Sequence, residues 1–189
     1  MKYKLVAIDM DGTLLNSNKE ISDLTRKALI EAQENGVRVI LASGRPVPFM
    51  EPLGKELKMD QNGGFLISNN GATVYDCQKR EYIFENHLLP HEVIEIIQHV
   101  QPFNVIPLFH YKDYVYVERH HSGDLNNRGR SFNIIEGELN GDNFKLKAVD
   151  KLVDVIDFPV YKILVAGDSD YIYENQDLIR GDLANKYTG

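Results

Sequence analysis

The chain has 189 residues, 43% hydrophobic and 26% charged, which suits one or two domains with real cores and excludes disorder or fibre. A formal net charge of -7 excludes a nucleic-acid surface, which needs clustered Lys and Arg; Lys145-Leu146-Lys147 is too short to be one. The single cysteine, Cys77, rules out an intramolecular disulfide and fits a reducing cytoplasm, and the apolar run Leu5–Ile8 is too short for a signal peptide or a membrane span.

The apolar, partly β-branched run Leu5–Ile8 predicts a strand over residues 4–8, buried on both faces. After the polar stretch Asn16–Lys19, Ser22 is an N-cap candidate, and Leu24, Ala28, Leu29 and Ala32 form a helical stripe that Gly36 ends. Residues 37–42 read as a second strand, so the segment is a βαβ unit with parallel neighbouring strands. Ser43-Gly44-Arg45 then turns into a helix that Pro46 opens. Phe65–Ser68 is a third strand, ending in Asn69-Asn70-Gly71-Ala72. Three strands with small polar clusters at their ends describe a doubly wound sheet with one active edge.

Beyond residue 73, Thr73–Tyr75 and Tyr82–Phe84 flank a polar turn as an antiparallel hairpin. Pro90 opens a helix with Val93, Ile94, Ile97 and Val100 on its apolar side. Strands around Tyr114–Val117 and Tyr161–Val165, a segment from Ala148 to Val155, and a loop at Asn126–Arg130 complete the pattern. The expected fold is α/β: an incomplete Rossmann-like parallel core over 1–84 and an α+β domain over 85–189.

The chemistry concentrates at Asp9-Met10-Asp11-Gly12-Thr13, where the first strand ends. Side chains two apart in an extended segment point the same way, so Asp9 and Asp11 can share one ligand. A carboxylate there can attack phosphorus, Asp9 being nearer the rigid strand, while Asp11 can protonate the leaving oxygen and then activate water. Two carboxylates facing a phosphate dianion need a cation, and Mg²⁺ suits that donor set. Ser43 and the helix start near Pro46 supply donors for a phosphoryl group, with Thr13 and Asn70 as neutral donors and Arg45 as a substrate contact or a surface ion pair.

Leu5–Thr13 resembles the first motif of the haloacid dehalogenase superfamily of phosphatases, and Ile40–Pro46 resembles the second. Asn69-Asn70-Gly71-Ala72 is similar to the Cof-type branch, with a cap domain inserted after the third core strand. The resemblance implies a Mg²⁺-dependent phosphatase acting on small phosphorylated metabolites through an aspartyl phosphate. It implies Asp9 as nucleophile and metal ligand, Asp11 as acid/base and metal ligand through its carbonyl, and Ser43, with Gly44, Arg45, Thr13 and Asn70 around it, binding phosphate and substrate.

The family's later lysine and its Gly-Asp-x-x-Asn-Asp motif are not found, so the ending at Gly189 reads as a truncation. That leaves an impaired metal- or phosphate-binding module as an alternative, a phosphomutase as another, and self-association through the incomplete core as an expectation. Gly167-Asp168-Ser169-Asp170 is expected to be a turn with a helix cap, not the metal motif, and Lys162 a strand residue. His120-His121, with His110 nearby, read as loop histidines, because no third ligand sits at a recognised zinc spacing. Tyr111, Tyr114 and Tyr116 read as strand packing.

Overall fold

The first sheet is mixed and five-stranded, and the expected βαβ unit sits at one side of it. A computed structural model describes residues 3–142 and 144–187; Gly189, on which the expectation of truncation turns, lies outside them. The chain divides into two units, Met1–Asn86 and His87–Gly189.

In the first unit, β1 (Leu5–Asp9) pairs in parallel with β2 (Arg38–Ala42), and β2 in parallel with β3 (Phe65–Ser68). The register sets Asp9, Ala42 and Ile67 abreast, so the three strands finish along one edge of the sheet. The hairpin of β4 (Thr73–Asp76) and β5 (Glu81–Glu85) continues the sheet antiparallel, its turn closed by the amides of Gln78 and Lys79 on Asp76 Oδ1.

Helix α1 (Asp23–Glu34) joins β1 to β2, and Ser22 caps it by accepting the Thr25 amide. Helix α2 (Val47–Glu56) and the short α3 (Met59–Asn62) join β2 to β3. Met10, Leu14, Leu15, Val39, Leu41, Met50 and Leu66 form the core between the sheet and these helices.

Three expectations change here. β1 is an edge strand covered on one face only: Val6 and Ile8 pack on the core, while Leu5 is 52% exposed and Ala7 and Asp9 face outward. An apolar run marks a strand that avoids charge, not how many faces are covered. Leu24, at 81% exposure, and Ala28 leave the buried side of α1, because Gln33 is drawn inward by its amide bond to the Leu57 carbonyl at 2.8 Å and the helix rolls with it. Pro46 is the N-cap rather than the first helical residue; with Pro48 in the first turn as well, the missing N–H groups fall where no helical bond is required.

The second unit begins with α4 (Pro90–Val100), whose buried stripe is Val93, Ile96, Ile97 and Val100, with Ile96 in the place expected for Ile94. Its sheet orders as β10-β7-β6-β11, from β6 (Ile106–Tyr111), β7 (Tyr114–Glu118), β10 (Lys145–Val149) and β11 (Ile163–Ala166). Tyr111 stacks on Phe158 at 3.7 Å and Tyr116 on Phe109 at 5.1 Å, so these rings do pack the sheet.

Residues 126–130 are no loose loop. They form the tip of a hairpin between β8 (Asp124–Asn127) and β9 (Arg130–Asn133), turned at Arg128 and Gly129, both with positive φ. The hairpin is fastened to the start of α6 (Ser169–Arg180): Asp168 Oδ1 accepts the Asn126 amide at 2.6 Å and Ser169 Oγ the Arg128 amide at 3.2 Å. Asp168 thus occupies the N-cap position but spends its side chain on the hairpin instead of on its own helix. Helix α5 (Ile134–Asp142) follows β9.

Candidate active site

The end of β1 builds the site. After Asp9 the chain turns: the Asp9 carbonyl accepts the Leu14 amide at 3.1 Å and the Met10 carbonyl the Leu15 amide at 2.9 Å. Gly12 makes this turn with φ of +79°, where an L side chain would be strained. Extended geometry therefore stops earlier than the spacing argument assumes, yet the alternation survives. Met10 is fully buried, and Asp9 and Asp11 on either side of it are exposed. The buried sulfur side chain keys the loop into the core and leaves both acids on the solvent side.

Each acid has its own company. Thr13 Oγ1 donates to Asp9 Oδ2 at 3.2 Å. Asp11 is gripped by Arg45, whose Nε donates to Oδ2 at 3.0 Å and Nη2 to Oδ1 at 2.9 Å, and by Lys19 Nζ at 2.7 Å from Oδ1. The Arg45 guanidinium, with Lys19 behind it and against some burial, holds the Asp11 carboxyl below the usual carboxylate range. Lys19 reaches Asp11 from a turn in which Asn16 Oδ1 accepts the Asn18 and Glu20 amides, and its own φ is +62°. Sequence reasoning passed over Lys19; the Asn16-Ser17-Asn18 turn signal beside the acidic motif was the available clue.

The second and third polar clusters are stitched together by backbone. Ser43 Oγ accepts the Arg45 amide at 3.2 Å, the Arg45 carbonyl accepts the Asn69 amide at 3.1 Å, and the Ser43 carbonyl accepts the Asn70 amide at 3.2 Å. Asn69 and Asn70 adopt left-handed conformations to make that turn, a role Asn tolerates well. Ser43, Gly44, Arg45 and Asn70 are therefore neighbours, and the Arg45 side chain ties their segment to Asp11.

The other candidates separate. Cys77 is buried, and burial pushes its thiol up to about 12, which removes it from nucleophilic chemistry. Asp168 belongs to the hairpin anchor described above, and Asp170 accepts from the Ser169 hydroxyl at 3.4 Å. His110 is not a loop residue: it lies on β6 with a 7% exposed side chain, stacked on Phe144, its Nε2 3.0 Å from Glu138 Oε2. Lys162 contributes to the field at the same Glu138, whose carboxyl His110 chiefly holds low. His120 and His121 do acquire a third polar neighbour, Glu118.

The donor set at the β1 end fits a hard divalent cation. It offers carboxylate oxygens, exposed and backed by a rigid strand, while the motif's one sulfur, on Met10, is buried in the core and no imidazole belongs to the motif. Asp9, Asp11, Lys19 and Arg45 together carry no net charge, so a divalent cation and a phosphate dianion entering together keep the site neutral.

Residues 6–188 match the model of the haloacid dehalogenase-like hydrolase family, and the chain belongs to that family. A 5-amino-6-(5-phospho-D-ribitylamino)uracil phosphatase of Bacillus subtilis, YcsE, is 40% identical over 89 residues, which are 45% of this chain and 34% of that protein. A haloacid dehalogenase-like hydrolase from Bacteroides thetaiotaomicron superposes with a TM-score of 0.76 at 30% identity, covering 97% of this chain and 65% of that one. A solved structure described as a subclass IIB sugar phosphatase shares the fold, with a TM-score of 0.65 at 17% identity over 93% of this chain and 63% of that one. The chain spans about a third of the length of the curated relatives it matches. No helix among the described residues is long and apolar enough to cross a membrane.

Proposed function

We propose that the protein hydrolyses phosphomonoesters of small metabolites, sugar phosphates among them, through a phosphorylated Asp9. The observation that carries this reading is the pair of outward acids flanking buried Met10 at the end of β1, with the Ser43 and Asn70 segments joined beside it through Arg45. Family membership and the phosphatases among the relatives support the same reaction class.

In this mechanism an Asp9 oxygen attacks phosphorus while the bond to the leaving alcohol oxygen breaks and Asp11 hands that oxygen a proton. Asp11, now a carboxylate, takes a proton from water as the water oxygen attacks phosphorus. Phosphate leaves and Asp9 is restored. Thr13 orients the Asp9 carboxylate through its hydroxyl, and the Ser43 hydroxyl donates to a phosphoryl oxygen. Mg²⁺, held by Asp9 and the Asp11 carbonyl, would supply positive charge against the phosphoryl oxygens. Since Arg45 and Lys19 keep Asp11 anionic, its acid role requires that they be drawn off, and an incoming phosphate dianion is the natural competitor for both cations.

The second unit acts in this reading as the cap that selects the substrate, and a reducing cytoplasm suits the single buried cysteine. The open edge of β1, where Tyr3 and Leu5 are exposed, carries self-association.

The test is hydrolysis of p-nitrophenyl phosphate with and without Mg²⁺, beside Asp9→Asn. Mg²⁺-dependent turnover that falls by orders of magnitude in the variant is expected; equal rates from both proteins would overturn the proposal.

A further inference from the structure

Glu118, His120 and His121 converge at the end of β7. The strand stops at Glu118 and the chain folds back at once, the His121 amide donating to the Glu118 carbonyl at 3.1 Å. The turn stacks the two imidazoles, with ring centroids 4.0 Å apart and planes inclined by 39°.

The carboxylate is fixed before any ligand arrives. Glu118 Oε1 accepts the Leu152 amide at 2.9 Å and the side chain is only 17% exposed, so Oε2 is left toward His120, 3.6 Å from its Nδ1. Arg119, the residue between them in sequence, is engaged elsewhere, donating to Asp150 at 3.2 Å and to the Ala148 carbonyl at 3.3 Å. Its charge is thereby committed to the neighbouring carboxylate.

One ligating atom from each of the three residues falls within 4.8 Å of the others. Ligands about 2.0–2.1 Å from a tetrahedral zinc stand about 3.3 Å apart, so the carboxylate–His120 edge is already near that spacing, and rotation of exposed His120 with a small shift of His121 closes the rest. Two imidazoles with one carboxylate are a borderline donor set, suited to zinc and poorly suited to magnesium or calcium.

We propose that Glu118, His120 and His121 bind one Zn²⁺ ion, with the fourth position open to water or an outside ligand. The site shares no residue with the Asp9 cluster and stands whether or not the protein is a phosphatase. The residue types are unremarkable in sequence because the carboxylate precedes the histidines by two and three positions, outside the usual zinc spacings.

The experiment is calorimetric titration of the full chain with Zn²⁺ in excess Mg²⁺, which keeps hard oxygen sites occupied, with imidazole NMR signals followed in parallel. One Zn²⁺ per chain is expected, with His120 and His121 signals shifting together and affinity at least tenfold weaker in His120→Ala and in Glu118→Gln. The glutamine keeps an acceptor for the Leu152 amide, so the turn survives that change. His91→Ala, on α4, serves as the control and should bind as the wild type does. No stoichiometric binding, or binding that neither variant weakens, would overturn the site.

Discussion

Arg45 and Lys19 approach the Asp11 carboxylate from segments 34 and 8 positions away in sequence, and their grip ties acidity to stability. The folded pKa of Asp11 lies below its unfolded value, so the pairing adds stability above pH ~4 and surrenders it as pH falls through the folded value. Urea midpoints of wild type and Arg45→Met should therefore differ at pH 7 and converge in acid. The exposure of Asp11 makes the difference small, since water and salt screen the pair. An offset that stays constant down to pH 2 would show that Arg45 stabilises by packing alone. At this scale the acids, Thr13, Ser43 and Asn70 were visible in the sequence because strand-end polar clusters are local signals. Lys19 was not, because its reach depends on a turn whose geometry only the folded chain fixes.

Among the elements, α1 shows how one polar side chain can overrule an apolar stripe. Gln33 is buried, and its Nε2 donates to the Leu57 carbonyl at 2.8 Å and the Leu29 carbonyl at 3.2 Å. Gln33→Met keeps the volume but leaves the Leu57 carbonyl without that donor, and should cost about 1–3 kcal/mol in chemical denaturation. The β8–β9 hairpin depends on a bond 42 residues distant in sequence, from Asn126 to Asp168. Asp168→Ala should speed hydrogen exchange at the Asn126 amide while β6 and β7 amides stay protected; unchanged exchange would mean the turn holds itself. Most elements were legible where period and capping agreed, as in β2, β3, α4 and the β4–β5 hairpin. The polar β8–β9 pair was not, since its strands lack an apolar period and owe their shape to the start of α6.

For the molecule as a whole, the two larger cores and the open sheet edge at β1 set the behaviour. The first core gathers around Met10, Leu41 and Leu66, the second around Val93, Phe109 and Leu152. Along β1 the outer ladder of backbone groups has no strand partner among the described residues, and Leu5 lies beside it exposed. Leu5→Lys should lower the weight-average mass in light scattering at high concentration without changing the unfolding midpoint, because charge on an edge discourages pairing. A wild-type chain that is monomeric at every concentration would remove the basis for self-association. Met10 bears on how the molecule must be made. Its thioether sits in a sealed apolar seat, safe from oxidants once folding is complete but open to them on the nascent or denatured chain. A sulfoxide formed at that stage brings a polar oxygen into the apolar seat, and the acids on either side lose their keel; keeping peroxides out of the refolding buffer therefore protects the competent fraction of the preparation.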